Sequence, residues 1–252
     1  MTGNEAGSSA APDVETSSEA YTARFSGPVG AWFLDVQARA TLDLIRAWRG
    51  GRVLDVGGGH GQLAGPLVEM GFDVTVLSSA ASCREHVSAW VDAGRVRFEV
   101  GDLLRAPWAD RSFDVVLAFR LLPHMPRWRA LVGELGRLAR KAVVLDYPTR
   151  RSLNAFSAPL FGLKRRVEGD TRAFTVFSDD EVADAFREHG FVPTGRRPQF
   201  FWPMALHRAL GLKPLSRTAE GIARCLGWTA MFGSPVIVRA EPMSISPTRA
   251  KR

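Results

Sequence analysis

The sequence predicts an α/β fold, in which a doubly wound, mostly parallel sheet carries helices on both faces. Short apolar runs alternate five times with stretches of helical periodicity between residues 52 and 145. The last run, at 142–145, is entirely apolar, as a parallel strand that is buried on both faces requires. In such a sheet the crossovers are right-handed, and ligands bind beyond the carboxyl ends of the strands.

The two ends of the chain differ from its middle in composition. Residues 1–18 are mostly small or polar and are predicted to be a disordered tail, and 243–252 are predicted to be a mobile basic tail. Residues 19–242 are expected to form a single domain. The start lacks the basic and apolar regions of a signal peptide, and the two cysteines make no metal-like spacing, so a cytoplasmic protein without a metal site is predicted. The net charge of +7 favours anionic partners.

A glycine-rich turn follows the first strand. Apolar residues at helical spacing from Trp32 to Trp48 predict a packing helix, and Arg52 to Val56 is the predicted first strand. The turn over residues 57–61 precedes a helix from Gln62 to Met70. Glycines adopt positive φ and let a ligand approach the backbone, and the helix directs its N–H groups at the turn. This arrangement indicates a nucleotide-like cofactor with a carboxylate or phosphate.

The next two strands end in small or acidic residues. The second strand, Phe72 to Leu77, ends at Ser78, and a helix is predicted from Ser82 to Ala93. Alternating apolar residues at 96, 98 and 100 predict a third strand, which leads into Asp102.

The fourth and fifth strands complete the alternation. Phe113 to Phe119 is the predicted fourth strand, and a helical stripe from Trp128 to Ala139 separates it from the fifth, which ends at Asp146. Because parallel strands end at one edge of the sheet, the candidate residues should converge on one crevice. The residues at these ends are Gly57, Ser78, Asp102, Phe119 and Asp146.

The spacing Asp55-x-Gly57-x-Gly59-x-Gly61 resembles the first motif of the class I S-adenosylmethionine-dependent methyltransferases. The run from Phe113 to Met125 resembles the fourth-strand motif of their small-molecule members. The resemblance implies seven strands in the order 3-2-1-4-5-7-6, with the last strand antiparallel. It also implies S-adenosylmethionine as the cofactor. The cofactor-binding residues that it implies are Asp55, Gly57, Gly59, Gly61, Ser78, Asp102, Leu103 and Phe119.

Ser78 departs from the family pattern, because an acid that bonds the ribose hydroxyls usually stands at this place. A serine at 78 or 79 would bond a ribose more weakly than a carboxylate does. An acid-free strand end near Arg84 also suits the extra phosphate of NADP, and Gly59, Gly61 and Ala64 give a shifted dinucleotide-binding motif. An NADP-binding oxidoreductase and a non-catalytic methyltransferase-like scaffold therefore remain alternatives.

Methyl transfer mainly requires alignment of the reactants, and it needs a base only when the acceptor must lose a proton. His124 occupies the histidine position of the family pattern and is the candidate base, or else a packed histidine at a helix start. Arg120 is a candidate to hold an anionic acceptor or the cofactor carboxylate, with a solvated surface role as the alternative. Tyr147 either lines the acceptor pocket or serves packing.

The acceptor is expected to be a small or lipid-like molecule that is methylated on oxygen or carbon. No nucleic acid is expected, because the fourth strand is followed by Arg120 to Pro123 and not by the motif of amino-group methylation. Insertions at 149–177 and 200–232 are predicted to form a lid. Segments 149–166 and 200–213 combine basic with large apolar residues, which also predicts peripheral contact with an anionic membrane.

Overall fold

The computed structural model describes residues 12–16, 23–58, 60–153 and 174–243. The predicted terminal tails therefore lie almost entirely outside the described residues. The exception is a short helix, α1 (Pro12–Thr16), which departs from the disorder expected over residues 1–18. Asp13 of this helix is completely buried and hydrogen-bonded, which ties the helix to the domain.

Strands and helices alternate along the first two thirds of the chain as predicted, except that no helix lies between β3 and β4. They are α2 (Gly27–Ile45), β1 (Arg52–Val56), α3 (Ala64–Glu69), β2 (Asp73–Ser78), α4 (Ser88–Asp92), β3 (Val96–Val100), β4 (Phe113–Ala118), α5 (Trp128–Leu138) and β5 (Ala139–Tyr147). Short 3-10 helices lie at Ala23–Phe25, Arg46–Trp48, Ala81–Val87 and Leu122–His124. The remaining elements are α6 (Asp179–Glu188), β6 (Phe191–Phe200), α7 (Met204–Leu210), α8 (Lys213–Cys225), α9 (Trp228–Phe232) and β7 (Ser234–Pro242).

The seven strands form one sheet in the order 3-2-1-4-5-7-6, which confirms the predicted topology. Strands β1 to β5 are parallel to one another, whereas β7 is antiparallel to both β5 and β6. The strand β6 therefore runs in the same direction as β5. Helices α7 to α9 connect β6 to β7, where a hairpin turn would otherwise suffice.

Two apolar layers cover the sheet and confirm that helices lie on both faces. One layer packs α5 and α6 on the sheet, and its residues include Leu131, Leu135 and Phe186. The other packs α2, α3 and α4 on the opposite face through residues such as Leu44 and Leu67. A capping box begins α6, since Ser178 and Glu181 exchange side-chain hydrogen bonds with each other's backbone N–H.

The helix predicted from Ser82 to Ala93 is divided into the 3-10 stretch Ala81–Val87 and the α-helical turn α4. The glycine loop packs closely against this stretch, because a Cβ on Gly61 would lie 2.6 Å from the carbonyl oxygen of His86. Ser88 Oγ also donates to the carbonyl oxygen of Glu85, which offers the backbone an alternative to α-helical pairing.

A buried carboxylate joins three strands at the edge of the sheet that lies opposite their carboxyl ends. Asp114 of β4 accepts hydrogen bonds from the backbone N–H of Arg52 at 3.0 Å, from Lys141 at 3.1 Å and from Arg140. Burial raises the pKa of Asp114, but these donors outweigh that effect and lower it to about 2. The acid that starts the fourth strand therefore has a structural role.

The helical connection between β6 and β7 packs beside the sheet. Helices α7 and α8 contact α2, and α9 contacts β6. Buried His207 and Glu220 pair at 3.0 Å, and Glu220 also accepts from the backbone N–H groups of Phe201 and Trp202. None of the helices in the described ranges combines the length and hydropathy needed to cross a membrane.

Candidate functional site

The carboxyl ends of the first three strands meet at one edge, as the sequence predicts. The backbone N–H of Gly57, just after β1, donates to the carbonyl oxygen of Leu77 in β2 at 2.8 Å. The N–H of Gly101, just after β3, donates to the carbonyl oxygen of Ser78 at 2.9 Å. These bonds align the glycine loop, Ser78 and the turn at Asp102 along one crevice.

The backbone conformation of the glycine loop after β1 would be disturbed by larger residues. Gly57 and Gly61 have φ values of +71° and +73°, in the left-handed region that favours glycine. At Gly58 an added Cβ would lie 2.2 Å from Asp55 Oδ2. Gly59, predicted to bind cofactor, lies outside the described residues. The loop thus presents bare backbone to the crevice beside a buried carboxylate.

Asp55 is 3% exposed at the end of β1. Within the described part of the chain, its Oδ1 atom is buried and has no hydrogen-bond partner. Burial raises the pKa of Asp55 to about 7, and the positive charge of Arg120 opposes that rise. A buried carboxylate oxygen without a donor is unfavourable unless a ligand supplies one. The geometry therefore fits a cofactor that brings a cationic N–H donor.

We expect Gly58→Ala to weaken cofactor binding by about 10- to 100-fold, because the new methyl group displaces the Asp55 carboxylate and its charge-assisted hydrogen bond. Calorimetric titration with S-adenosylhomocysteine measures the effect. Gly221→Ala is the matched control, since a Cβ at Gly221 meets no atom within 4 Å. Equal affinity of the two variants would contradict the role given to the loop.

Arg120 follows β4 and faces the glycine loop across a narrow cleft. The cleft is lined by Asp55, Gly57, Gly58, His60, Gln62, Phe119 and Arg120. The Arg120 guanidinium lies over the ring of Phe25, 4.4 Å from its centroid, in a cation–π contact. Its backbone has φ of 56°, an unusual value for arginine that turns the chain sharply after the strand.

Asp146 at the end of β5 holds that sharp turn in place. Its Oδ1 accepts from the backbone N–H of Arg120 at 2.6 Å, and its Oδ2 accepts from Gln37 Nε2 at 3.2 Å. Burial raises the pKa of Asp146 to about 6, although these donors and the charge of Arg120 oppose the rise. Asp146 thus positions Arg120.

His60 lies inside the loop and packs edge-on against Phe25, with 5.8 Å between ring centroids. Its ring stacks on that of His86 at 6.1 Å. Burial, followed by the charges of Arg120 and His86, lowers the pKa of His60 to about 3. A histidine with so low a pKa is neutral at pH 7 and is a poor general base.

The remaining cofactor residues predicted from the sequence lie at the same edge but differ in exposure. Asp102 is exposed, and its Oδ1 accepts from the backbone N–H of Leu104 at 2.8 Å. Leu103 and Phe119 are 4% and 5% exposed and belong to the apolar layers. Ser78 is fully buried and directs its hydroxyl group at Asp13.

The two residues predicted to act on the acceptor beside Arg120 have different surroundings. His124 ends the 3-10 turn after β4, and its ring packs edge-on against Phe174 at 5.5 Å. Tyr147 is 2% exposed and donates its hydroxyl hydrogen to Asp179 at 2.9 Å. Burial raises the pKa of Tyr147, and the charge of Asp179 adds to that effect. Tyr147 is thus buried and hydrogen-bonded in the structure.

Sequence reasoning did not assign Asp13, Phe25 or Gly58 to the site. Gly58 lay within the recognised motif and was detectable there. Asp13 and Phe25 precede the first strand, in a part of the chain whose composition carries no spacing signal. In the described ranges, no cluster of three or more His, Cys, Asp or Glu side chains could hold a metal ion.

A larger cavity of about 310 Å³ lies away from the crevice and shares no residue with it. It is lined by residues of α2 and of the 3-10 turn that follows it, and by Thr194, Gly195, Arg197 and Arg239. Asp43 pairs with Arg197 at 2.8 Å in this cavity. Asp55 Oδ1, which is buried without a hydrogen-bond partner, lies in the crevice and not in this cavity. The crevice is therefore the candidate site.

Comparison with known proteins agrees with the resemblance. The family model of the methyltransferase domain matches residues 53–142. The demethylmenaquinone methyltransferase of Beutenbergia cavernae is 30% identical over 194 residues, which span 68% of this chain and 78% of that protein. The 27-O-demethylrifamycin SV methyltransferase of Amycolatopsis mediterranei is 32% identical, over 65% of this chain and 64% of that enzyme. An O-methyltransferase of Pyrenophora dematioidea is 30% identical over 40% of this chain and 41% of its own length.

Among solved structures, the magnesium protoporphyrin IX methyltransferase of Synechocystis with bound S-adenosylhomocysteine has a TM-score of 0.64 at 13% identity, over 91% of this chain and 97% of that one. At 13% identity this similarity shows that the two proteins share a fold. The chain spans less than two thirds of two of the curated relatives named above, 41% and 64%. The sequence match to the Beutenbergia enzyme covers most of both chains. The chain belongs to the class I S-adenosylmethionine-dependent methyltransferases.

Proposed function

We propose that this protein transfers a methyl group from S-adenosylmethionine to oxygen or carbon of a small or lipid-like acceptor. One observation carries the proposal: the cleft places the Asp55 carboxylate and the Arg120 guanidinium among its lining residues. This opposite-charge pair matches the ammonium and carboxylate groups at the amino-acid end of that cofactor. A buried carboxylate at this place would repel the phosphates of NADP, so the dinucleotide alternative is not favoured.

When bound, S-adenosylmethionine supplies an electrophilic methyl group. The protein's part is to orient the reactants and to exclude water. Asp55 and Arg120 would hold the amino-acid end, and Ser78 and Asp102 lie toward the other end of the crevice. Phe25 lies against the Arg120 guanidinium at this end. Gln37, through Asp146, keeps the Arg120 backbone in its turn.

The acceptor class draws support from relatives. Curated relatives are named for 27-O-demethylrifamycin SV, demethylmenaquinone and ubiquinone biosynthesis. A structural neighbour from Burkholderia thailandensis, with a TM-score of 0.58, holds 1,6-didemethyltoxoflavin and S-adenosylhomocysteine. These names support a small organic acceptor.

Calorimetric titration with S-adenosylhomocysteine and with NADPH tests the cofactor. We expect micromolar binding of the homocysteine compound and none of NADPH, and the reverse result would overturn the proposal. Incubation with a labelled methyl donor and a cell extract, followed by mass spectrometry, then identifies the acceptor. Cofactor binding without any methyl transfer would favour the non-catalytic scaffold.

We also propose that α7 to α9 contact an anionic membrane surface, from which a lipid-like acceptor is drawn. Large apolar side chains are exposed along these helices: Leu206, Leu210, Leu212, Leu215, Ile222, Leu226, Trp228, Met231 and Phe232. Four of them, Leu212, Ile222, Leu226 and Met231, are more than half exposed. An apolar patch of this extent on a surface usually serves an interaction.

The charges beside this patch favour an anionic surface as the partner. Arg208, Arg217 and Arg224 are exposed there, with Lys213 at the start of α8. The one acid in residues 201–233 is Glu220, which is buried against His207. Each basic residue near an anionic bilayer contributes roughly 1 kcal/mol, and the apolar side chains add to this by insertion. Of the other predicted basic segment, 149–166, the structure describes residues 149–153, and Lys164, Arg165 and Arg166 lie outside the described residues.

Flotation with vesicles of phosphatidylglycerol and phosphatidylcholine tests this contact. We expect the wild-type protein to float with the anionic vesicles in low salt, and binding to fall about tenfold or more in the Lys213→Glu, Arg217→Glu double variant. Arg95→Glu, at an exposed position after α4, should leave binding unchanged. Absence of salt-sensitive flotation by the wild type would leave the patch as part of the predicted lid.

A further inference from the structure

The end of β2 is the one predicted cofactor contact where the sequence departs from its family, and the structure brings a carboxylate to that place from elsewhere. Asp13 of α1 is completely buried there. Its Oδ2 accepts from Ser78 Oγ at 2.8 Å and from the backbone N–H of Ser79 at 2.7 Å. Its Oδ1 accepts from Ser79 Oγ at 2.6 Å. The contacts bridge 65 residues of sequence, so no local spacing could reveal them.

Asp13 lies next to the glycine loop that borders the crevice. A Cβ added to Gly57 would lie 3.4 Å from the Asp13 Cβ atom, so α1 borders the glycine loop. Gly57 is also hydrogen-bonded to Leu77, next to Ser78. Asp13 therefore lies between the ends of β1 and β2. In nucleotide-binding α/β sheets, this is where a carboxylate accepts hydrogen bonds from ribose hydroxyls.

We propose that Asp13 is the ribose-binding carboxylate of this protein, supplied by the N-terminal helix in place of an acid at the strand end. The proposal rests on the proposed function, since it takes S-adenosylmethionine as the ligand. A carboxylate has two oxygens and about four lone-pair sites, so it can accept from both hydroxyls of a ribose. The Ser78 and Ser79 hydroxyls can rotate to make room, while the Ser79 N–H holds the carboxylate in place.

A second residue ahead of the first strand, Phe25, contacts the opposite end of the site. Phe25, which follows the same segment, covers Arg120 at the amino-acid end. Gly30 keeps that contact close, because a Cβ there would lie 2.1 Å from the Phe25 carbonyl carbon. Ahead of the first strand, the chain therefore contributes one residue to each end of the cofactor site.

Two other roles for Asp13 make different predictions. If Asp13 only fastens α1 to the sheet, its removal should lower stability and leave the affinity for the ribose hydroxyls unchanged. If the carboxylate blocks the ribose site, its removal should tighten cofactor binding. A ribose ligand predicts weaker binding that depends on the hydroxyl groups of the ligand.

The experiment combines Asp13→Ala with a ligand that lacks the two ribose hydroxyl groups. We titrate wild type and Asp13→Ala with S-adenosylhomocysteine and with its 2′,3′-dideoxy analogue by calorimetry. The wild type should lose on the order of 10- to 100-fold in affinity for the dideoxy compound. Asp13→Ala should bind both compounds equally weakly, because the lost partner no longer distinguishes them. Unfolding midpoints measured in parallel confirm that the variant is folded.

Relocating the carboxylate provides a rescue. The double variant Asp13→Ala, Ser78→Asp should recover most of the discrimination between the two ligands, and Asp35→Asn, at a carboxylate paired with Arg39 at 2.8 Å on α2, should behave as wild type. Unchanged or tighter binding of S-adenosylhomocysteine by Asp13→Ala would overturn the inference and leave the proposed function standing. No binding by the wild type would instead overturn the proposed function, and the inference with it.

Discussion

Replacing Asp55 with asparagine is expected to weaken cofactor binding by about 10- to 100-fold while making the cofactor-free protein more stable at pH 8. The two effects have one cause. The Asp55 carboxylate is buried, and its Oδ1 has no hydrogen-bond partner within the described residues. An ionised carboxylate there destabilises the fold until a ligand supplies a cationic donor. Asparagine carries no charge, so it removes both the cost of burying the carboxylate and the ionic hydrogen bond to the cofactor.

The pH dependence follows from the pKa of Asp55, which burial raises to about 7 against the ordinary value of 3.8. The folded chain keeps this proton up to about pH 7, whereas the unfolded chain releases it near pH 4. The free energy of unfolding should therefore fall as pH rises through this window and stop falling above it. Asp146, with a pKa raised to about 6, adds a similar slope in both proteins. The difference between wild type and Asp55→Asn isolates Asp55.

Urea unfolding at pH 5, 6, 7 and 8 measures the stability, and calorimetry with S-adenosylhomocysteine measures the affinity. Wild-type affinity should fall by up to about tenfold per pH unit below pH 7, because binding requires the ionised carboxylate. The variant should show no such dependence. A variant with the same pH profile as the wild type would refute the role assigned to Asp55.

The second large effect concerns turnover. If the acceptor must lose a proton, His124→Gln should lower the rate of methyl transfer by about 100- to 10,000-fold and leave cofactor affinity unchanged, as expected for loss of a general base. Initial rates with a saturating labelled donor and the same extract measure it. His60 is not a comparable candidate, because its pKa is lowered to about 3.

His189→Gln is the control for this experiment. His189 lies two residues before β6, at the edge of the sheet opposite the crevice, so its loss should leave the rate unchanged. A rate for His124→Gln within twofold of the wild type would mean that His124 packs against Phe174 and takes no proton.

The sheet was predictable from the sequence because its signal is local. Strands β1 to β5 are marked by short apolar or alternating runs, and helical stripes separate most of them, which predicts a parallel sheet. The strand order came from the resemblance to the family. The 3-10 stretch Ala81–Val87 was not predictable, since it depends on contact with Gly61 from another part of the chain. Its side-chain pattern alone suits an α-helix equally well.

The site was predictable only where it lies on the motif. Asp55 and the described glycines of the turn occupy the expected crevice, and Asp102 lies at the same edge. Ser78 at the end of β2 left an NADP-binding oxidoreductase and a non-catalytic scaffold as alternatives, and the residues next to it in sequence could not decide among them. The carboxylate that meets it belongs to a segment whose small polar residues predict disorder. Long-range hydrogen bonds of this kind leave no periodic pattern.

The cluster around Asp114 has a consequence for how such a protein can change. It fastens β1, β4 and β5 together at the edge farthest from the crevice, with Arg52, Arg140 and Lys141 as its partners. The bonds that hold these strands together thus lie away from the edge where we propose that the cofactor and the acceptor bind. Loops at the reactive edge can be exchanged over evolutionary time without loosening the strands that carry them. A sheet held together in this way can therefore be adapted to many acceptors by changes in the loops at the carboxyl ends of its strands alone.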